Sequence, residues 1–157
     1  MLAEARRATR NERRQRARGG VEPRDDVYQA MRLAYPAAFL VMIAEGAARG
    51  APPRLVLTTG VVLFAASKAL KWWAIAALGS AWTFRVIVIP GAPLTTSGPY
   101  RILRHPNYLA VVGELAGVAL MTGAVIAGPV ATAGFCLLIA KRIAVEEREL
   151  GRKDRAL

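Results

Sequence analysis

The only histidine of the chain stands in the stretch Gly98-Pro99-Tyr100-Arg101-Ile102-Leu103-Arg104-His105-Pro106-Asn107-Tyr108, between two apolar runs. Polar side chains beside membrane-length apolar segments are costly to desolvate, so a cluster of them marks a site. The residue before a proline is pushed out of the helical region, while proline itself suits the first turn of a helix. A helix is therefore expected to begin at Pro106 with His105 as its N-cap. The N–H groups of Asn107 and Tyr108 would then lie unpaired at the positive end of the helix dipole, where a carboxylate or phosphate binds well. Local geometry alone leaves a plainer option open, in which His105 only caps the helix and Tyr108 only anchors it at the interface.

A second polar cluster follows the last apolar run. Arg142, Glu146 and Glu149 recur at i, i+4 and i+7 and share one helix face, whereas Glu147 points roughly 100° away. Such a face is either a solvated ion-paired surface or a clamp. In the clamp, the Arg142 guanidinium grips a carboxylate in two places and a glutamate accepts from an amino group or a ribose diol. Glu114 lies two turns inside the run that starts at Pro106. An acid at that depth is neutral, paired or part of a polar cavity, and Lys68 or Lys71 is the expected partner. Glu45, near the far end of the first run, is expected to reach the interface. The chain has no Walker loop, no GxGxxG, no Cys/His metal spacing and no aspartate in the apolar runs to complete a Ser–His–Asp triad. A metal centre is not expected.

Four apolar segments must carry these clusters: about 33–48, 55–78, 106–122 and 125–140, the last continuing as a helix through 141–151. At about 1.5 Å per residue, segments of roughly 16 to 24 residues fit a hydrocarbon core of about 30 Å. The expected fold is thus an all-α integral membrane protein of four transmembrane helices. Its ligand pocket would be cytoplasmic, between the 79–105 loop and the last two helices. Apolar residues make up 54% of the 157, and the single cysteine, Cys136, sits in an apolar run and is expected to be packing. Trp72, Trp73 and Trp82 read as an interfacial belt, and Phe84-Arg85-Val86-Ile87-Val88-Ile89 has strand-like composition before the turn at Pro90-Gly91-Ala92-Pro93.

The formal charge is +11, yet of the 22 Lys and Arg only Arg49 and Arg54 fall on the side opposite both termini. The positive-inside bias then puts the termini in the cytoplasm and accounts for the charge without nucleic acid. Residues 1–26, rich in arginine and poor in apolar side chains, are expected to form a disordered or loosely helical cytoplasmic arm, and 27–157 a single membrane domain. No signal peptide is apparent. A charged arm of this kind also allows another class of function, a non-catalytic membrane anchor whose arm binds anionic lipid or RNA.

Thr96-Ser97-Gly98-Pro99-Tyr100, Arg104-His105-Pro106-Asn107-Tyr108 and Arg142-Ile143-Ala144-Val145-Glu146-Glu147 together resemble the isoprenylcysteine carboxyl methyltransferase family, whose broader relatives are phospholipid N-methyltransferases. The resemblance covers about 79–151 and rests on three ordered motifs. It implies an integral membrane enzyme that uses S-adenosylmethionine, held at the cytoplasmic face of the C-terminal helices. It also implies that His105, Pro106, Asn107 and Tyr108 contact the cofactor, with Tyr100, Arg85, Pro93, Leu94, Thr95, Glu146 and Glu147 around them. Arg142 would face the acceptor, sharing the catalytic role with Glu146, and Glu114 would line the acceptor's side. The family often has glycine where this chain has Ala110, so close approach there is less secure. The implied substrate is a carboxylate or hydroxyl of a lipid-like or prenylated small molecule. The expected surroundings are membrane lipids, and the Ala- and Arg-rich composition points to a bacterial cytoplasmic membrane.

Overall fold

A computed structural model describes residues 2–23, 26–89 and 95–151. The helices are α1 (Leu2–Ala17), α2 (Tyr28–Arg49), α3 (Arg54–Leu78), α4 (Pro106–Thr122) and α5 (Ala127–Gly151), with 3-10 turns at Gly79–Ala81 and Gly98–Arg101. Their ends follow local chemistry. Asp26 accepts the Tyr28 N–H at 3.1 Å ahead of α2, which Gly50 and two prolines then terminate. Pro106 opens α4, and Gly123 closes it in the left-handed region, φ +69°.

Stretches at Tyr28–Arg49, Arg54–Ala81 and Ala127–Glu149 are long and apolar enough to cross a bilayer. Among the described residues, three such spans therefore stand where four were expected. Between Pro106 and Gly123, α4 has only 17 residues, about 26 Å at ~1.5 Å per residue. It packs chiefly on α3, and glycines set the distance. A Cβ on Gly60 would come 2.7 Å from the Met121 nitrogen, and one on Gly117 would come 2.9 Å from the Phe64 nitrogen. Small residues allow this backbone approach, the usual route to helix association where lipid tails compete with apolar side chains. Met42, Leu115, Val118, Phe135 and Ile139 fill the centre of the bundle. Glu45 does more than reach the interface. It accepts N–H groups of Ile126 and Ala127, the latter at 2.6 Å, and so caps α5 from α2.

The N-terminal arm is not loose. Glu4, Ala8, Asn11 and Gln15 form a buried stripe on α1 at helical spacing. The Asn11 amide donates to the carbonyls of Gly79 (3.0 Å) and Trp82 (2.8 Å), and the Gln15 amide donates to those of Ser80 and Ala81. These carbonyls belong to the 3-10 turn after α3 and to Trp82 at its end, where carbonyls lack partners within a helix. Amide capping holds α1 in place of apolar burial, which is why hydrophobicity underrated this segment. Arg6, Arg10, Arg13 and Arg14 stay exposed.

Three smaller expectations also change. The 84–89 segment forms only an isolated bridge, Val21 to Val88, since it pairs with a loop and not a strand. Trp72 and Trp73 are exposed as belt residues should be, but Trp82 is buried against Ile75, Ala8 and Phe84. Cys136 lies on the outside of the bundle, not in its core.

Candidate functional site

A cavity of about 720 Å³ opens between α1, α2, α4, α5 and the 82–89 loop, within the size range of small-molecule sites. Beside it, side chains from three segments and the backbone of a fourth form one connected polar set. The Tyr108 hydroxyl donates to Glu146 at 2.9 Å and accepts from Arg142 Nε at 2.9 Å. Arg142 also donates to the Phe84 carbonyl and lies 3.6 Å from Asp26. Asp26 in turn accepts the Val86 N–H at 3.1 Å. One buried arginine thus ties the start of α2, the 84–86 backbone, α4 and α5 together around the cavity.

Arg142 therefore differs from the free clamp expected of it. Each guanidinium nitrogen already meets a protein acceptor: Tyr108, Phe84, or Asp26 together with the Met31 sulfur at 3.8 Å. An arginine so engaged positions its neighbours, and a carboxylate ligand would have to displace Asp26 to reach it. Glu146 remains on the wall, bonded through Tyr108.

The other expected residues divide clearly. Arg85, Thr95, Tyr100, His105, Asn107 and Tyr108 line the cavity. Arg85 is held by Glu22 at 2.5 Å and covers the Tyr28 ring at 4.8 Å, and the Glu22 bond raises the guanidinium's pKa further. Burial, and then the nearby Glu146 carboxylate, push the Tyr100 phenol above its ordinary range, so it is a neutral hydroxyl. Pro106 is fully buried behind the wall. Pro93 and Leu94 lie outside the described residues. Glu147 faces away, 46% exposed, at 3.5 Å from His105 and 3.7 Å from Arg104.

His105 occupies the N-cap position, but its side chain makes no capping bond. The ring stacks on Tyr108, centroids 5.5 Å apart. Nor is the Tyr108 N–H free for an anion, because the His105 carbonyl accepts it at 3.1 Å. The tight first turn removes one of the donors that the sequence offered.

Glu114 is fully buried and does not line the cavity, but its partners Tyr35 and Lys71 do. Tyr35 donates its hydroxyl to Glu114 Oε2, with Lys71 at 3.4 Å and Lys68 at 3.3 Å from the carboxylate. Both expected lysines pair with it, and Glu4 of α1 completes the group at 3.8 Å from Lys68 and 3.6 Å from Lys71.

Sequence reasoning missed Asp26, Tyr35, Trp82 and Glu4 as site residues. Asp26 carried a signal, an acid just ahead of an apolar helix. So did Glu4, through the stripe it shares with Asn11 and Gln15.

Residues 58–152 match the profile of the Isoprenylcysteine carboxyl methyltransferase (ICMT) family. The chain is 26% identical over 143 residues to "Uncharacterized protein YpbQ" of Bacillus subtilis (strain 168), covering 91% of this chain and 85% of that protein. It is 24% identical over 139 residues to an uncharacterized protein of Haemophilus influenzae, covering 88% and 81%. No solved structure matches.

Proposed function

The chain belongs to the isoprenylcysteine carboxyl methyltransferase family, and from that premise we propose that it is an S-adenosylmethionine-dependent enzyme methylating an oxygen of a lipid-like small molecule. It is an integral membrane protein of a methyltransferase family. The finer reading, of cofactor and acceptor, rests on the cavity.

One observation carries it. Among the described residues, Asn107 Oδ1 and Trp82 Nε1 are buried and make no hydrogen bond, and both residues line the cavity. Buried polar atoms of native proteins are almost always paired. Here one acceptor and one donor stand ready for a ligand that has both, as the adenosine and amino-acid parts of S-adenosylmethionine do. Glu146 offers a further acceptor for an ammonium or ribose hydroxyl, and the His105–Tyr108 stack offers an aromatic surface. The residues present fit the cofactor in kind, with Asn107, Trp82, Tyr108, His105, Tyr100 and Glu146 as its proposed contacts.

When bound, the cofactor supplies an activated methyl group, so the protein needs no covalent nucleophile. Its own task is alignment, which is worth roughly 7–11 kcal/mol of a barrier. Arg142 holds Tyr108 and the 84–86 backbone in register, and the cavity's Met31, Val111 and Phe135 give an apolar side to receive a tail. Charge placement supports a cytoplasmic opening for this cavity, with both termini on that side. An anchor with a lipid- or RNA-binding arm is less well supported, because the inner face of α1 is engaged on the 79–82 turn.

Membranes that contain the protein, given methyl-labelled S-adenosylmethionine and a bacterial lipid extract, should transfer label to an organic-soluble product. Base-labile label marks a carboxyl ester and stable label an ether. Label no higher than in membranes without the protein would contradict the proposal.

A further inference from the structure

The buried charges beside the cavity are not among the contacts proposed for the cofactor. Glu114, from α4, is fully buried, and its Oε1 accepts no hydrogen bond. Lys68 and Lys71 of α3 and Glu4 of α1 surround it, so the formal charges balance, two against two. A neutral group of this kind is not needed to hold α4 on α3, where glycines already bring the backbones together. Ionisable side chains kept at membrane depth mark function. The link to the cavity is Tyr35 of α2, which lines it while its hydroxyl donates a hydrogen bond to Glu114.

We propose that Tyr35 and Glu114 are a proton-accepting pair for an acidic hydroxyl, a phenol or enol carried on an apolar tail. This deepens the methyltransferase reading and rests on it. Two observations favour a hydroxyl over a carboxylate acceptor. Arg142, the residue that a carboxylate would need, has its nitrogens engaged by Phe84, Tyr108 and Asp26. A carboxylate is also already ionised and would leave the pair without a use, whereas a phenol must lose a proton.

The step balances as follows. The acceptor's O–H bond breaks, and its proton passes to the Tyr35 oxygen as Tyr35 gives its own proton to Glu114 Oε2. The freed oxygen pair forms the new O–CH3 bond while the methyl–sulfur bond breaks and its electrons return to sulfur. The products are a methyl ether, a neutral thioether and a protonated Glu114. Lys68 and Lys71 favour the transient phenolate, and Glu4 keeps both lysines paired while Glu114 is neutral. Phe135, whose ring lies 5.4 Å from that of Tyr35, and Val111 line the space for the tail.

The test uses the full chain in nanodiscs with two probes, a long-chain 4-alkylphenol and a 4-alkyl-2-nitrophenol that ionises near neutral pH. Without cofactor, the wild type should convert bound nitrophenol to its yellow phenolate about one pH unit below the probe's free pKa, a tenfold shift. Tyr35→Phe and Glu114→Gln should lose that shift. Methylation of the plain alkylphenol should fall about 10²- to 10⁴-fold in both variants. Methylation of the ionised nitrophenol should fall less than about tenfold, since it needs no base. S-adenosylhomocysteine should bind both variants as it binds the wild type, which also shows that they fold. The proposal is overturned if both variants act on the two phenols at wild-type rates, or lose both equally. It is overturned too if the wild type binds S-adenosylhomocysteine but methylates only a long-chain fatty acid. If the wild type does not bind S-adenosylhomocysteine at all, the methyltransferase reading fails and the pair falls with it.

Discussion

The two ends of the bundle are built differently. Where α2 turns into α3 and α4 into α5, helices meet through glycine: Gly46 against Thr122, Gly60 against Met121 and Gly128 against Ala119. The connections there are short, and Glu45 stitches α2 to the start of α5. At the other end, the 82–89 segment and α1 stand among the helices around the cavity. Charged side chains bridge the gap: Arg142 to Asp26, Arg85 to Glu22, and the lysines to Glu4 and Glu114. The closed end has no room for a side chain, let alone a ligand. The open end has room because polar side chains, and not backbones, set the spacing. The closed end holds the helix axes close together, and the open end leaves the space in which Tyr108, Arg142 and Glu146 meet.

That contrast can be broken at either end, and the largest effect is expected at the open one. Arg142→Ala would leave Asp26, with its side chain only 4% exposed, buried without its partner. Losing one member of a buried pair costs about 3–5 kcal/mol. We predict a correspondingly lower unfolding temperature in detergent, with cofactor affinity lost as well because Tyr108 is released. Arg142→Lys should unfold later than Arg142→Ala but remain impaired in turnover, since lysine lacks the planar fork that reaches Tyr108 and Phe84 together.

At the closed end, Gly117→Val places atoms against Phe64 and Gly60, and overpacking of this kind costs about 1–3 kcal/mol. Here the two effects should separate. Thermal unfolding should fall, while the folded fraction binds S-adenosylhomocysteine as the wild type does. A loss of affinity in the folded fraction would show that the two ends are not independent.

Smaller effects sharpen the boundary of the site. Asn11→Ala leaves the Gly79 and Trp82 carbonyls without their donor, and an unmet buried polar group costs about 1–3 kcal/mol. It should also loosen α1, seen as faster amide exchange over residues 2–17. Glu147→Gln should change neither unfolding nor cofactor affinity measurably, because Glu147 is half-exposed and outside the cavity.

How much of this was legible in the sequence depends on the kind of interaction. Helix limits were, since Pro106, Gly123, Gly50 and Gly79 act locally on the backbone. The pairing of Glu114 with Lys68 and Lys71 was legible too, because few charges share that depth. Contacts between a side chain and a distant backbone were not. Arg142 looks like a free clamp until the Phe84 carbonyl, 58 residues away, is seen to occupy it. The arm looks disordered until the 79–82 carbonyls that it caps are in place. Tyr35 and Asp26 were hidden for the same reason, since their partners are remote in sequence and are assembled only by packing of α2 on α4 and α5.

The central claim is that the open end binds S-adenosylmethionine through the Tyr108–Glu146 wall. Calorimetric titration of S-adenosylhomocysteine into detergent-purified protein tests it most directly, with wild type beside Glu146→Ala. Saturable heat from the wild type and its loss in a folded Glu146→Ala sample is the predicted result. Absence of heat from folded wild type at millimolar ligand, or equal binding by the two proteins, would contradict it.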